Sequence, residues 1–240
     1  MLAALLAPVT RRLVYPSRAT RVPAEGTTFS MSVPGAELRG WQVNPGRPDA
    51  LVYFGGNGED IGPRRHELAH RFADHTCYLV AYRGYGASSG RPGERALTRD
   101  AVALHDLVAA RHLGGAVDVV GRSLGSGVAM QLAARRPVRR LVLVTPFDSM
   151  VANAADLFPR LPARHLVHDR WDSAGVAESV RARVLVLRAG RDTLVLPART
   201  DALVSALPPE TRVTDFPHAD HATIVEEPTY WTEIEAFLRR

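Results

Sequence analysis

Lysine is absent: all 30 basic residues are arginine, against 25 acidic ones. The arginines are scattered, and pairs such as Arg135-Arg136 and Arg139-Arg140 extend no further, so they read as codon usage of a GC-rich genome before a selected anion-binding surface. No basic run or recognised module accompanies the net charge of +5, so nucleic-acid binding is not indicated, although a mild attraction for anionic substrates or lipid surfaces remains. Cysteine occurs once, at Cys77 inside an apolar run. An intramolecular disulfide is excluded, and Cys77 reads as a small core residue rather than a redox centre. Long apolar stretches are missing too. The amino-terminal run Met1 to Val9 falls far short of the roughly 20 residues that cross a bilayer. Arg11 and Arg12 follow that run instead of preceding it, the reverse of a secretory leader. It reads as a short amphipathic piece folded on the body, with at most peripheral membrane contact, and a cytoplasmic location is expected. There are no repeats or low-complexity tracts. A chain of 240 residues, 46% of them hydrophobic, supports one substantial core. The expected division is an extension over residues 1–27 and a single domain over 28–240.

The chain is organised around the stretch from Ala116 to Arg135. The apolar run Ala116-Val117-Asp118-Val119-Val120 feeds Gly121-Arg122-Ser123-Leu124-Gly125-Ser126-Gly127 and then a helical segment. A buried strand, a Gly-x-Ser-x-Gly turn and a helix make a nucleophile elbow, which holds the serine hydroxyl clear of the sheet edge on strained backbone. Side chains at 121 or 125 would collide where strand and helix pass closely. A second match, Gly86-Ala87-Ser88-Ser89-Gly90, is followed by Arg91-Pro92-Gly93, which bars a helix from starting there. Ser123, not Ser88, is the candidate nucleophile.

Strand and helix patterns alternate along the chain. Thr28 to Val33 and Glu37 to Asn44 read as an antiparallel pair around Pro34-Gly35. Further strands are expected at 50–54, 76–82, 116–120, 140–144, 184–187 and 212–216. Helices are expected at 63–73, 94–112, 123–135, 197–207 and 228–238. The stripe of the second helix should be Ala96, Leu97, Val102, Leu104, Leu107 and Val108. Strands that enter as apolar runs imply an α/β fold, a mostly parallel sheet with helices on both faces and its chemistry at the strands' carboxyl ends.

A serine hydroxyl needs a base to take its proton, and the base needs an acid to hold one tautomer. Asp192 follows the strand at 184–187 and His221 the strand at 212–216, which gives the chain order Ser, Asp, His of an α/β-hydrolase triad. Asp148 is the rival acid and His218 the rival base. Two backbone N–H groups should receive the oxyanion, that of Leu124 after the nucleophile and that of Asn57 in the Gly55-Gly56-Asn57-Gly58 loop. The plain alternative for that loop is an ordinary glycine turn.

Several motifs occur in one order: Tyr53-Phe54-Gly55-Gly56-Asn57-Gly58, Tyr82-Arg83-Gly84-Tyr85-Gly86, Gly121-Arg122-Ser123-Leu124-Gly125, Thr145-Pro146-Phe147-Asp148-Ser149, Arg170-Trp171-Asp172-Ser173, and the loops of Asp192 and His221. From Ala50 to Leu238 the chain resembles the BEM46-like branch of the α/β-hydrolases, and is similar to the alpha/beta hydrolase domain-containing 13 and 17 proteins. The resemblance implies an α/β-hydrolase fold and a serine hydrolase acting on esters or thioesters; some relatives remove fatty acyl groups from protein cysteines. Two departures stand out. Relatives usually have His-Gly-Asn where this chain has Gly55-Gly56-Asn57, so the histidine's support of the oxyanion loop is missing. Several also carry a membrane anchor, which the short amino terminus does not match.

His66-Glu67-Leu68-Ala69-His70 matches a zinc motif, His-Glu-x-x-His. On a helical wheel His66 and His70 point away from the stripe of Leu68 and Phe72, and His75 is out of register for a third ligand, so no metal and no cofactor are expected. About 39 residues separate Val144 from Val184. The part over 148–175 reads as a minimal cap whose apolar residues, Met150 to Trp171, wall an acyl site or else only pack on the sheet. The reading is a serine hydrolase that cleaves carboxylic esters or thioesters of a small-molecule or acylated substrate through an acyl-enzyme. A serine aminopeptidase-like amide hydrolase and a non-catalytic binding module are the alternatives, and the oligomeric state is open.

Overall fold

The computed structural model describes residues 15–239. The amphipathic reading of residues 1–9, with Arg11 and Arg12, falls outside them. Strands β1 (Phe29–Val33) and β2 (Ala36–Val43) turn back on each other at Pro34-Gly35, where Gly35 takes φ 77°. Six more strands follow: β3 (Asp49–Phe54), β4 (His75–Val80), β5 (Val117–Arg122), β6 (Arg140–Val144), β7 (Arg183–Ala189) and β8 (Arg212–Phe216). They form one sheet in the order β1-β2-β4-β3-β5-β6-β7-β8. β2 joins β4 antiparallel, and every pairing from β4 to β8 is parallel. The helices are α1 (Arg64–Arg71), α2 (Glu94–Arg111), α3 (Leu124–Ala133), α4 (Met150–Leu157), α5 (Ala163–Leu166), α6 (Pro197–Ala206) and α7 (Tyr230–Arg239).

Burial explains why the central strands read as unbroken apolar runs. In β3 the stretch Ala50 to Phe54 is buried throughout, and in β6 every residue is. Strands covered on both faces have no solvent side to keep polar. β8, at the sheet edge, is mostly exposed or half-buried up to Phe216.

Of the stripe expected on α2, Leu97, Leu104 and Val108 are buried, and the buried face also takes in residues that the stripe did not include. That face is Leu97, Ala101, Leu104 and Val108, with Asp100 and His105 among them, while Ala96, Val102 and Leu107 are only half-buried. The buried polar pair is tolerated because each is bonded: Arg83 Nε donates to Asp100 at 2.6 Å and His105 Nε2 donates to the Pro137 carbonyl at 2.8 Å.

One ionic node clamps the amino-terminal ends of the parallel strands. Asp118 on β5 is fully buried and accepts from Arg139 Nε at 3.0 Å, the Arg140 backbone N–H at 3.1 Å and His75 Nε2 at 3.3 Å. Arg139 also reaches Asp49 at the start of β3, at 2.7 Å. Burial pushes the Asp118 carboxyl up, but His75 and Arg139 outweigh it and hold it below the ordinary range. With that end fixed, the opposite ends of β3, β5, β7 and β8 present their loops on one rim.

Between β6 and β7 the chain forms α4, α5 and a 3-10 turn at Ala174–Ser179. Ser149 caps α4, its Oγ accepting from the Ala152 N–H at 3.1 Å. The apolar residues expected of this stretch divide. Trp171 is fully buried against Gly127, whereas Phe158 and Leu161 are exposed, at 56% and 53%.

Candidate active site

The elbow at the end of β5 is strained at one residue. Ser123 has φ 52° and ψ −116°, a region that costs a non-glycine residue about 1–3 kcal/mol. Its neighbours allow this because they lack side chains. A Cβ on Gly125 would lie 2.0 Å from the Phe54 carbonyl oxygen, and one on Gly121 would lie 2.3 Å from that of Gly125. The strand-helix collision expected from the sequence is therefore real at both positions. The Ser123 N–H donates to the Val144 carbonyl at 2.9 Å, and Ser126 Oγ donates to the Ser123 carbonyl at 2.6 Å. Leu124 opens α3, so its N–H has no intrahelical acceptor.

The loops after β7 and β8 bring the other two residues to the serine. His221 Nε2 is 2.9 Å from Ser123 Oγ, and His221 Nδ1 is 2.7 Å from Asp192 Oδ2. A carboxylate only accepts, so Nδ1 carries the proton and Nε2 offers its lone pair to the serine hydroxyl. Asp192 is buried, and its other oxygen accepts the N–H groups of Leu194 and Val195, both at 2.8 Å. The two loops are stitched together by Gly190 N–H to the Phe216 carbonyl and Arg191 N–H to the Ala219 carbonyl, each 2.9 Å. Asp220 shapes the turn at His221, accepting from the N–H groups of Ala222 and Thr223 at 2.8 Å. Those bonds hold its carboxyl below the ordinary range.

The rivals stand elsewhere. Asp148 pairs with Arg199 at 3.2 Å, and His218 is exposed beside Arg191. Ser88 is buried in a loop, donating to the Ala81 carbonyl and accepting from the Arg39 N–H, both at 2.8 Å. His66 and His70 face outward on α1, and Glu67 pairs with Arg64 at 2.7 Å. Among the described residues no three His, Cys, Asp or Glu side chains gather closely enough to hold a metal ion.

The glycine loop after β3 lies beside the serine: a Cβ on Gly56 would stand 3.7 Å from Ser123 Cβ. Three side chains hold this loop. Tyr82 donates to the Gly55 carbonyl at 2.8 Å, Tyr85 donates to Asn57 Oδ1 at 2.8 Å, and Glu59 accepts the Gly56 N–H at 2.7 Å. A side chain at position 55 would press on Ile61, since a Cβ there would come within 2.5 Å of Ile61 Cγ2 and that side chain would have to shift.

Glu59 and Arg122 were missed in the sequence. Glu59 Oε1 accepts from Tyr53 at 2.9 Å and Arg64 at 3.2 Å, and Oε2 accepts from Arg122 at 3.3 Å. Burial pushes the Glu59 carboxyl up, yet Arg122, the Gly56 N–H, Arg64 and Tyr53 together hold it low. Arg122 also donates to the His221 carbonyl at 3.0 Å. Glu59 lies just beyond the glycine loop and Arg122 between elbow glycine and serine, but both types usually face water, so neither stood out.

No helix among the described residues is long and apolar enough to cross a membrane. The family model described as "Alpha/beta hydrolase family" matches residues 51–233. An uncharacterized protein of Mycobacterium tuberculosis is 34% identical over 232 residues, covering 88% of this chain and 80% of that protein. The lysophosphatidylserine lipase ABHD12 of Gallus gallus is 36% identical over 108 residues, covering 42% of this chain and 28% of the lipase. Among solved structures, the Pyrococcus furiosus esterase Pf2001 superposes with a TM-score of 0.72 at 16% identity, covering 89% of this chain and 90% of the esterase. With the expected sheet in place and most of its length matched by that model, the chain belongs to the alpha/beta hydrolase family.

Proposed function

We propose that the protein is a serine hydrolase that cleaves carboxylic ester or thioester bonds through an acyl-enzyme intermediate. The observation that carries this reading is the unbroken hydrogen-bond chain from Ser123 Oγ through the His221 ring to Asp192. Ser123 Oγ attacks the substrate carbonyl while its proton passes to His221 Nε2. Asp192 holds the ring in the tautomer that can accept it and stabilises the imidazolium that forms. The N–H groups of Leu124 and Asn57 receive the oxyanion. The Gly56 N–H of the same loop is engaged by Glu59 at 2.7 Å. Collapse of the tetrahedral intermediate breaks the bond to the leaving oxygen or sulfur, and His221 Nε2 returns the proton to it. Water then gives a proton to His221, attacks the acyl carbonyl and regenerates Ser123.

An ester specificity fits the name of the lysophosphatidylserine lipase relative. The motif series of Ala50 to Leu238, which resembles that of the BEM46-like branch, supports membership of that branch. On this reading the segment over 148–175 is a small cap, and its exposed Phe158 and Leu161 are the apolar side chains available to an acyl chain. The substrate is a small or acylated molecule, the domain spans 28–240, and the location is cytoplasmic with at most peripheral membrane contact.

A substrate panel tests the reading: p-nitrophenyl esters of two to eight carbons, the matching acyl thioesters, and aminoacyl p-nitroanilides, with wild type and Ser123→Ala. Turnover of esters or thioesters that falls by at least about 10³-fold in Ser123→Ala is expected. Full turnover in that variant overturns the mechanism. Cleavage of anilides alone identifies an aminopeptidase, and no turnover of any carbonyl substrate identifies a binding module.

A further inference from the structure

The loop beside the nucleophile and the loop bearing the base come from opposite halves of the chain, and no backbone hydrogen bond between them is found among the described residues. Two charged side chains span the gap. Glu59, with only 9% of its side chain exposed, fixes the glycine loop by accepting the Gly56 N–H at 2.7 Å. Its same oxygen, Oε2, accepts from Arg122 at 3.3 Å. Arg122, 13% exposed, extends its other terminal nitrogen to the His221 carbonyl at 3.0 Å. The series Gly56, Glu59, Arg122, His221 thus runs beneath the serine, through the residue that immediately precedes it.

We infer that Glu59 and Arg122 are positioning residues that couple the oxyanion loop to the loop of the base. The forked guanidinium suits this task, because its rigid plane can donate to two partners at once, whereas an ammonium is a single point charge. The surroundings hold the pair in one arrangement. Arg64 and Tyr53 occupy the other oxygen of Glu59, so the carboxylate cannot turn away from Gly56 without leaving a buried donor unpaired. Neither Glu59 nor Arg122 is assigned a contact with substrate. Their effect is on where the Asn57 N–H and the His221 ring stand relative to Ser123. The catalytic consequence rests on the serine-hydrolase reading; the mechanical coupling does not.

The test joins two readouts on wild type, Glu59→Gln, Arg122→Gln, Arg122→Lys and the Glu59→Gln/Arg122→Gln double variant. The first is amide hydrogen exchange in peptides covering 55–60 and 218–224. Glu59→Gln should speed exchange over 218–224 by about fivefold or more, although residue 59 has no bond to that segment. Arg122→Lys keeps a charge opposite Glu59, and so retains the fold, but loses the fork; it should show the same change in smaller measure. Unchanged exchange over 218–224 in both variants overturns the coupling. The second readout is kcat and KM on p-nitrophenyl butyrate. The single glutamine variants should lose about 10- to 100-fold in kcat with KM within about threefold, the signature of misplaced groups rather than lost binding. The double variant should be no worse than the weaker single one, because both changes break one linkage. Multiplied losses, or faster exchange with kcat unchanged, overturn the positioning role. If wild type hydrolyses nothing, the serine-hydrolase reading fails while the exchange data still decide the coupling.

Discussion

Asp192 divides its two oxygens between the base and its own loop: Oδ2 accepts the N–H of His221 at 2.7 Å, and Oδ1 accepts two backbone N–H groups at 2.8 Å. The carboxylate is therefore immobilised before it meets the ring, and the ring's tautomer follows from that single contact.

Replacing Asp192 by Asn tests this division. The amide oxygen can still accept from Leu194 and Val195, so the fold should survive. The amide N–H₂ would then face His221 and favour the opposite tautomer, whose Nε2 is protonated and cannot take the serine proton. kcat should fall by about 10⁴-fold with KM nearly unchanged and the thermal midpoint within a few degrees of wild type. Steady-state kinetics and a melting curve check both halves.

Gly125→Ala separates packing from chemistry. Its Cβ would sit 2.0 Å from the Phe54 carbonyl oxygen, where backbone rather than a flexible side chain must yield. A loss of about 3 kcal/mol or more in unfolding free energy is expected, read from urea denaturation.

Asp118 should make stability depend on acid. Its carboxyl is held below the ordinary value of 3.8 in the folded protein, so its contribution is fully present above that value and is lost as pH falls through the folded one. Unfolding free energy should therefore decline below about pH 4, and Asp118→Asn should flatten that decline. At neutral pH the variant should lose about 2–3 kcal/mol, less than for a wholly buried pair because Arg139 is one-third exposed.

Cys77 should be silent in the folded state. It is buried in β4, and desolvation pushes its thiol up to about 12. A thiol reagent at pH 8 should leave the native protein unmodified and label one equivalent in urea.

The elbow could be read from sequence because its glycines answer to a collision that any Gly-x-Ser-x-Gly turn between strand and helix must avoid. The loop of Asp192 was readable for a related reason: β7 is covered on both faces and apolar, so its run ends where a rim loop begins. The His221 loop follows the mostly exposed edge strand β8 and was readable from the Ser, Asp, His chain order. Side chains that act across loops were not readable. Glu59 and Arg122 meet only after β3 and β5 pair, and no local pattern marks two charges 63 residues apart as partners. Asp118 sits within the apolar run of β5 and is fully buried, because His75 of β4, the Arg139 side chain just before β6 and the Arg140 backbone N–H converge on it. In the α2 stripe Leu97, Leu104 and Val108 were legible, but Asp100 and His105 were not, since the sequence alone could not show that they had partners inside.

The most direct measurement of the central claim is covalent labelling by a fluorophosphonate probe, read by peptide mass spectrometry on wild type and Ser123→Ala, with and without a zinc chelator. A serine made nucleophilic by His221 predicts one adduct, on Ser123, unaffected by the chelator and absent from the variant. No adduct on folded wild type, or an adduct that persists at another residue in Ser123→Ala, would contradict the assignment of Ser123 as the nucleophile.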